Sequence, residues 1–326
     1  MLIAAAGCSR SAAPTASAPV FPPGWTVGAG KQAVTAAHGM VVSNSSLASQ
    51  AGVDIMRAGG NAVDAAVATG FALAVTFPQA GNIGGGGFMV IRMADGRMAA
   101  IDYREVAPLA ATRDMYVGKT GELTSRTGAL ASGVPGAVAG MAMALHDYGT
   151  MTLAQVMAPA IKLASEGFIV DSALSSAVTG AAKLIKPLDG AKLFFPGGNP
   201  IAPGTRLVQT DLAATLRLIA KEGPAGFYTG AVADSFAAEQ RRDKGIITKA
   251  DLAQYKAIAR QPVIGTYRGD SVISMPPSSS GGITAIESLN ILETWPKLPP
   301  FGSTAYDHHV AEAFRRAFVD RNTLLG

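Results

Sequence analysis

Between Asn61 and Pro78 the chain carries a helix-length segment with almost no polar face. Val63, Val67, Phe71, Leu73 and Val75 fall on different sides of a 3.6-residue repeat. A helix apolar all round is stable only when other elements enclose it. Asn61 is placed to cap its start and Pro78 to end it. The fold must therefore wrap this helix. With 326 residues, 48% hydrophobic and only 15% charged, the chain has the apolar surface to do so and too little charge to stay disordered over most of its length.

The flanking segments read as mixed α/β. Gly39-Met40-Val41-Val42-Ser43 reads as a short strand, followed by N-cap chemistry at Asn44, Ser45 and Ser46. A helix then presents Leu47, Ala51, Ile55 and Ala58 on one face and stops at Gly59-Gly60. After the glycine run at 84–87, strands are expected at 88–93 and 98–103, joined by a turn containing Asp95-Gly96. The first of these strands is apolar on both faces, which predicts cover on both sides of its sheet. Helical spacing dominates 137–148, 153–166, 212–221, 231–242 and 252–255; a second strand pair is expected at 261–267 and 270–275. Two helices, 283–293 and 304–321, finish the pattern, the last with Val310, Phe314, Ala317 and Phe318 as its apolar stripe. No repeat or linker divides the chain after about Trp25, so 25–326 is expected to be one domain. It offers less sheet than so many helices need, which points to an incomplete fold.

Several function classes are poorly supported. Lys and Arg total 27 against 23 Asp and Glu, and the densest basic stretch is only Arg241-Arg242-Asp243-Lys244, so a nucleic-acid partner is not expected. The single cysteine, Cys8, leaves no internal disulfide and no cysteine-based metal site. The four histidines form no HExxH, and His308 and His309, adjacent on a helix, point about 100° apart. No metal or other cofactor is expected. No apolar run reaches the roughly 18 residues of a membrane-spanning helix. Residues 1–24 read differently: a short apolar stretch and small residues lead to Cys8, followed by a Pro-, Ser- and Ala-rich tether. This resembles the end of a lipoprotein signal without its basic start. It predicts export, to the periplasm or to a lipid anchor on the cell envelope, with Cys8 as the lipidation site.

Three motifs could carry chemistry. Amides of the 84–87 glycine run could cradle an anion, but no Lys-Ser/Thr follows and no GxGxxG occurs, so close packing is the reading the residues favour. Arg104, in Asp102-Tyr103-Arg104-Glu105, could fork two hydrogen bonds onto a substrate carboxylate or could simply pair with Asp102 or Glu105. Ser278, Ser279 and Ser280 precede Gly281-Gly282, but without a GxSxG elbow or an SxxK pair they read as a loop entering a capped helix. On the residues alone no catalytic set is complete.

The ordered motifs carry further information. GMVVSNSSLASQAG from Gly39 to Gly52 is followed by GGNAVDAA from Gly59, GNIGGGGFM from Gly81 and DYREVAP from Asp102. GVPG from Gly133, PPSSSGG from Pro276 and FRRAFVDR from Phe314 complete the series. In order and spacing this resembles the large-subunit part of γ-glutamyltranspeptidases, from about residue 31 onward. The resemblance implies an αββα sandwich of the N-terminal-nucleophile hydrolase type, of which only the large-subunit part is present. It implies a precursor that cuts itself, and a partner in the small-subunit portion of that precursor. The small subunit's new N-terminal threonine would attack the γ-glutamyl carbonyl of glutathione or related compounds. Water, amino acids or peptides would then accept the glutamyl group. No residue of this chain matches the nucleophile, which is expected beyond Gly326; Thr323 has the wrong flanks. Arg104 matches the family arginine that binds the donor's α-carboxylate. Two alternatives remain open: a glutaryl or cephalosporin acylase of the same superfamily, and a catalytically dead exported protein that binds acidic peptides through Arg104.

Overall fold

The computed structural model describes residues 34–117 and 125–325, so Cys8 and the tether after it lie outside the described residues. The described chain forms two compact units, residues 36–283 and residues 284–325 with residues 34 and 35.

The first unit is organised around the apolar helix. After α1 (Ser46–Arg57), capped by Ser45, comes α2 (Ala62–Thr76), in which eleven of fifteen residues are buried. Asn61 and Asp64 form a reciprocal capping box at the start of α2. Inside it, Thr69 and Thr76 donate their hydroxyls back to Ala65 O and Ala72 O, and Gln209 Nε2 donates to Val75 O (2.8 Å) near the helix end. Polar groups of the helix interior are thereby satisfied without water. Fully burying side chains such as Val67, Phe71 and Val75 contributes about 1.5–3 kcal/mol each.

The strands β1 (Phe88–Arg92) and β2 (Met98–Asp102) form the predicted antiparallel hairpin, in register from Phe88 opposite Asp102 to Arg92 opposite Met98. At its turn Arg97 N donates to Asp95 Oδ1, and Gly96 takes φ +88°. Cover on both sides holds for β2, where residues 99–102 are all buried, but fails for β1, whose Val90 and Arg92 are exposed. β1 is the edge of its sheet, and Val90 is 40% exposed. Helices α3 (Ala137–Tyr148) and α4 (Leu153–Glu166) follow as predicted, and α2 packs against α1, α3 and α4.

Beyond α4, β3 (Phe168–Ile169), α5 (Ser172–Ile185) and β4 (Arg206–Leu207) have no counterpart in the sequence pattern. The chain continues through α6 (Thr210–Glu222), α7 (Ala225–Tyr228), α8 (Gly230–Arg242) and α9 (Lys249–Gln254). The three-residue β5 (Ile258–Arg260) then pairs with β2, giving the sheet order β1-β2-β5. A second hairpin, β6 (Val263–Tyr267) and β7 (Asp270–Ser274), closes through Arg268 and Gly269, both at positive φ as a two-residue hairpin loop requires. The strand expected at Gly39 to Ser43 is absent. That segment finds no partner strand among the described residues, and Val42 is 80% exposed.

In the second unit, α10 (Gly281–Glu293, entered from the first unit) leads to α11 (Thr304–Leu324), which Ser303 caps. The apolar stripe of α11 differs from expectation: Ala313 and Ala317 are buried, whereas Phe314 and Phe318 are each 48% exposed. Burial, then the hydrogen bond and charge of Asp320, push the Glu287 carboxyl up.

Candidate functional site

β2 delivers Asp102 to its last position and releases the chain into Tyr103-Arg104-Glu105. Two more ladder bonds hold this exit, Tyr103 N to Gly87 O (3.0 Å) and Gly87 N to Tyr103 O (3.2 Å). The glycine run lies directly on it. A Cβ on Gly86 would collide with the backbone of residues 103–105, and one on Gly140 of α3 would enter the Tyr103 ring. Gly85 O accepts from both Gly136 N (2.7 Å) and Ala137 N (2.9 Å), which joins the run to the start of α3. The run is therefore close packing, as the residues alone favoured, and it holds the segment that carries Arg104.

The carboxylate of Asp102, with a side chain only 7% exposed, is fully committed. Its Oδ2 accepts from Arg260 Nε (2.8 Å) and Ser278 Oγ (3.0 Å), and its Oδ1 accepts from Arg104 N (3.2 Å). Pairing of Asp102 with the Arg104 guanidinium is thereby removed, because Arg260 of β5 has taken that place. The Arg104 side chain is exposed, and no described residue makes an ion pair or hydrogen bond to its guanidinium. It is a cation on a fixed backbone with an open fork.

Two more tyrosines complete the surroundings. Tyr255, at the end of α9, donates its hydroxyl to Arg104 O (2.9 Å) and stacks on Tyr228 at 5.8 Å and 7°. Tyr228 in turn donates to Pro135 O (2.9 Å) and accepts from Ala139 N (3.3 Å). Both phenols are held above the usual range, mainly by burial; for Tyr255 the charges of Asp102 and Glu105 add to it. Both hydroxyls therefore remain donors across any physiological pH. Nothing in the local sequence around Tyr255 or Arg260 marks them, since their partners lie more than a hundred positions away in the chain.

The remaining candidates settle simply. Ser278 is spent on Asp102, and Ser279 Oγ accepts from Gly281 N (3.4 Å) at the start of α10, so these serines build a loop and a helix entry. His309 Nδ1 lies 2.7 Å from Ala305 O, and among the described residues no cluster of His, Cys, Asp and Glu is arranged for a metal. Arg242 of the densest basic stretch is paired with Glu239, Asp243 and Asp189. An apolar cavity of about 700 Å³ lined by Leu174, Val178, Ile185 and Phe194 includes none of the residues around Arg104.

Residues 48–326 match the family model described as Gamma-glutamyltranspeptidase. The chain belongs to this family. It is 50% identical over 299 residues to the glutathione hydrolase proenzyme of Escherichia coli (strain K12), an alignment covering 90% of this chain and 52% of that protein. To the Acylase ACY 1 proenzyme of Pseudomonas sp. (strain V22) it is 45% identical, over 89% of this chain and 54% of that protein. Among solved structures, Helicobacter pylori γ-glutamyltranspeptidase superposes with a TM-score of 0.87 at 44% identity, covering 90% of this chain and 86% of that one. The fold is thus that of the γ-glutamyltranspeptidase family, as the motif series implied. The chain spans about half the length of the curated relatives it matches.

Proposed function

We propose that this chain is the large-subunit portion of a γ-glutamyltransferase and glutathione hydrolase, and that Arg104 binds the α-carboxylate of the donor's glutamyl group. The carrying observation is the Arg104 guanidinium: it is exposed, free of any described counter-ion, and fixed through its backbone. A forked cation of this kind binds a carboxylate through two parallel charge-assisted hydrogen bonds. The remaining machinery belongs to the small-subunit portion of the same precursor. Its N-terminal threonine hydroxyl attacks the γ-carbonyl while the α-amino group takes the proton. The amine leaves, and the glutamyl ester is resolved by water or by an amino acid or peptide. This chemistry calls for no metal or organic cofactor.

The acylase name of one relative keeps a second donor class in view. The processed two-subunit protein is to be assayed with γ-glutamyl and glutaryl p-nitroanilides, which differ in the α-amino group. The expected kcat/KM ratio favours the γ-glutamyl compound by at least about a hundredfold, as a site built to pair a polar group does. A preference for glutaryl would move the protein to the acylases. Calorimetric binding of γ-glutamyl compounds with no turnover of either anilide would make it a binding protein.

Residues 1–24 are read as a signal-like and tether segment ahead of the domain, with the protein exported and Cys8 acylated. Metabolic labelling with a palmitate analogue should mark the protein, and Cys8→Ser should abolish the mark; an unlabelled wild type would end this idea.

A further inference from the structure

We propose that Tyr255, together with Asp102, is a positioning residue: the two hold the Arg104 backbone, one at its N–H and the other at its carbonyl, and set the angle of its guanidinium. The inference rests on the reading of Arg104 as the carboxylate anchor. Neither residue touches the guanidinium. Asp102 Oδ1 takes the Arg104 N–H at 3.2 Å, and Tyr255 Oη gives its proton to the Arg104 carbonyl at 2.9 Å. Arg104 has left the β-ladder, so neither of these backbone groups has a ladder partner to hold it. The two side chains replace the missing ladder.

Each grip is itself braced. Arg260 and Ser278 hold Asp102 from β5 and from the loop after β7. Tyr255 lies flat on Tyr228, whose hydroxyl is tied to Pro135 and Ala139. Helix α9 acts as a strap over the whole segment. Near its start, Asp251 of the Thr248 capping box accepts Leu109 N (2.5 Å), and at its end Tyr255 reaches back to Arg104. Between these two points Val106 bridges to Val134. A long arginine side chain on a loose loop would lose rotational freedom on binding substrate; here the peptide it hangs from is fixed beforehand.

The test uses the processed two-subunit protein with two donors, γ-glutamyl-p-nitroanilide and 4-aminobutyryl-p-nitroanilide, the second lacking the α-carboxylate. Tyr255→Phe keeps the ring stack and removes only the hydroxyl. It should raise KM for the γ-glutamyl donor about fivefold with kcat changed less than about twofold, the effect of one hydrogen bond. The same variant should leave kcat/KM for the carboxylate-free donor unchanged, and in an Arg104→Gln background it should add no further loss. Asp102→Asn, of equal size, should show the same donor dependence, so the inference stays testable even if one variant folds poorly. An unchanged KM in Tyr255→Phe, an equal loss with both donors, or a loss that adds in full to that of Arg104→Gln overturns the positioning role. If Arg104→Gln itself leaves KM for the γ-glutamyl donor unchanged, the anchor reading falls, and the positioning role with it.

Discussion

Replacing Asp64 by alanine should lower the unfolding free energy by about 3–5 kcal/mol, the cost of orphaning several donors around one buried carboxylate. Asp64 is completely buried, yet it is not paired with a cation. Its oxygens accept from Asn61 N (2.7 Å), Thr150 N (2.9 Å), Thr150 Oγ1 (2.7 Å) and Met151 N (3.0 Å). One side chain thus caps α2 and also fastens the turn between α3 and α4 against it, with Asn61 Nδ2 adding a bond to Tyr148 O. Burial by itself would raise the carboxyl, but the hydrogen bonds from Thr150, Met151 and Asn61 outweigh it and hold Asp64 below the ordinary aspartate range. Asp251 is depressed in the same way, burial being outweighed by bonds from Leu109 and Thr248. The sign of the pH dependence follows. A folded-state pKa below the unfolded value of about 3.9 gives stability that is fully present above that pH and lost as the pH falls through the folded value. The wild type should therefore weaken on acidification below about pH 4, and Asp64→Asn should be weaker at neutral pH with a shallower acid limb. Urea unfolding followed by circular dichroism at pH 7 and pH 3.5 measures both. A loss below about 1 kcal/mol at pH 7 would show that the turn relaxes onto water instead.

What the sequence made legible follows a physical division. Helix α2 was readable because its burial is written in every residue and its cap in Asn61; the β1–β2 hairpin was readable because Asp95-Gly96 fixes the turn locally. Helix α5 was not. Its sequence is rich in Ser, Thr and Gly, and only Leu174 and Val178 are buried, too thin a stripe to reveal a period. The strand expected from Gly39 to Ser43 failed for the converse reason: a β-forming run is a strand only where a partner edge exists, and that partner cannot be read locally. Helix α9 starts at Lys249, earlier than its apolar spacing implied, because the Thr248–Asp251 capping box sets its start; Tyr255 then leaves in extended conformation, with φ −62° and ψ 135°. The site divides along the same line. Arg104 stood out as a strand-end arginine, but on the residues alone a plain salt bridge to Asp102 or Glu105 was the favoured reading. Arg260, far along the chain, occupies Asp102 and so removes the pairing of that carboxylate with Arg104, and no local pattern could announce that.

Arg104→Gln in the processed protein should raise KM for γ-glutamyl donors by about ten- to a hundredfold, corresponding to the roughly 1.5–3 kcal/mol of a hydrogen bond to a charged group. Arg104→Lys should recover little of this. It keeps the charge but not the planar fork, and a carboxylate gripped at one point can pivot. If the clamp only holds the donor, the loss falls on KM alone. If it also aims the scissile carbonyl at the threonine, kcat falls in Arg104→Lys as well, because a donor that pivots spends less time in attacking geometry. Ionic strength supplies a separate check. The exposed guanidinium attracts an anionic donor through solvent, so wild-type KM should rise with salt, while that of Arg104→Gln should respond much less. The donor without an α-carboxylate should show neither effect. Unchanged KM and kcat in both variants would place the donor's carboxylate elsewhere and return Arg104 to the surface. The grip of Asp102 and Tyr255 would then be holding a loop rather than an anchor.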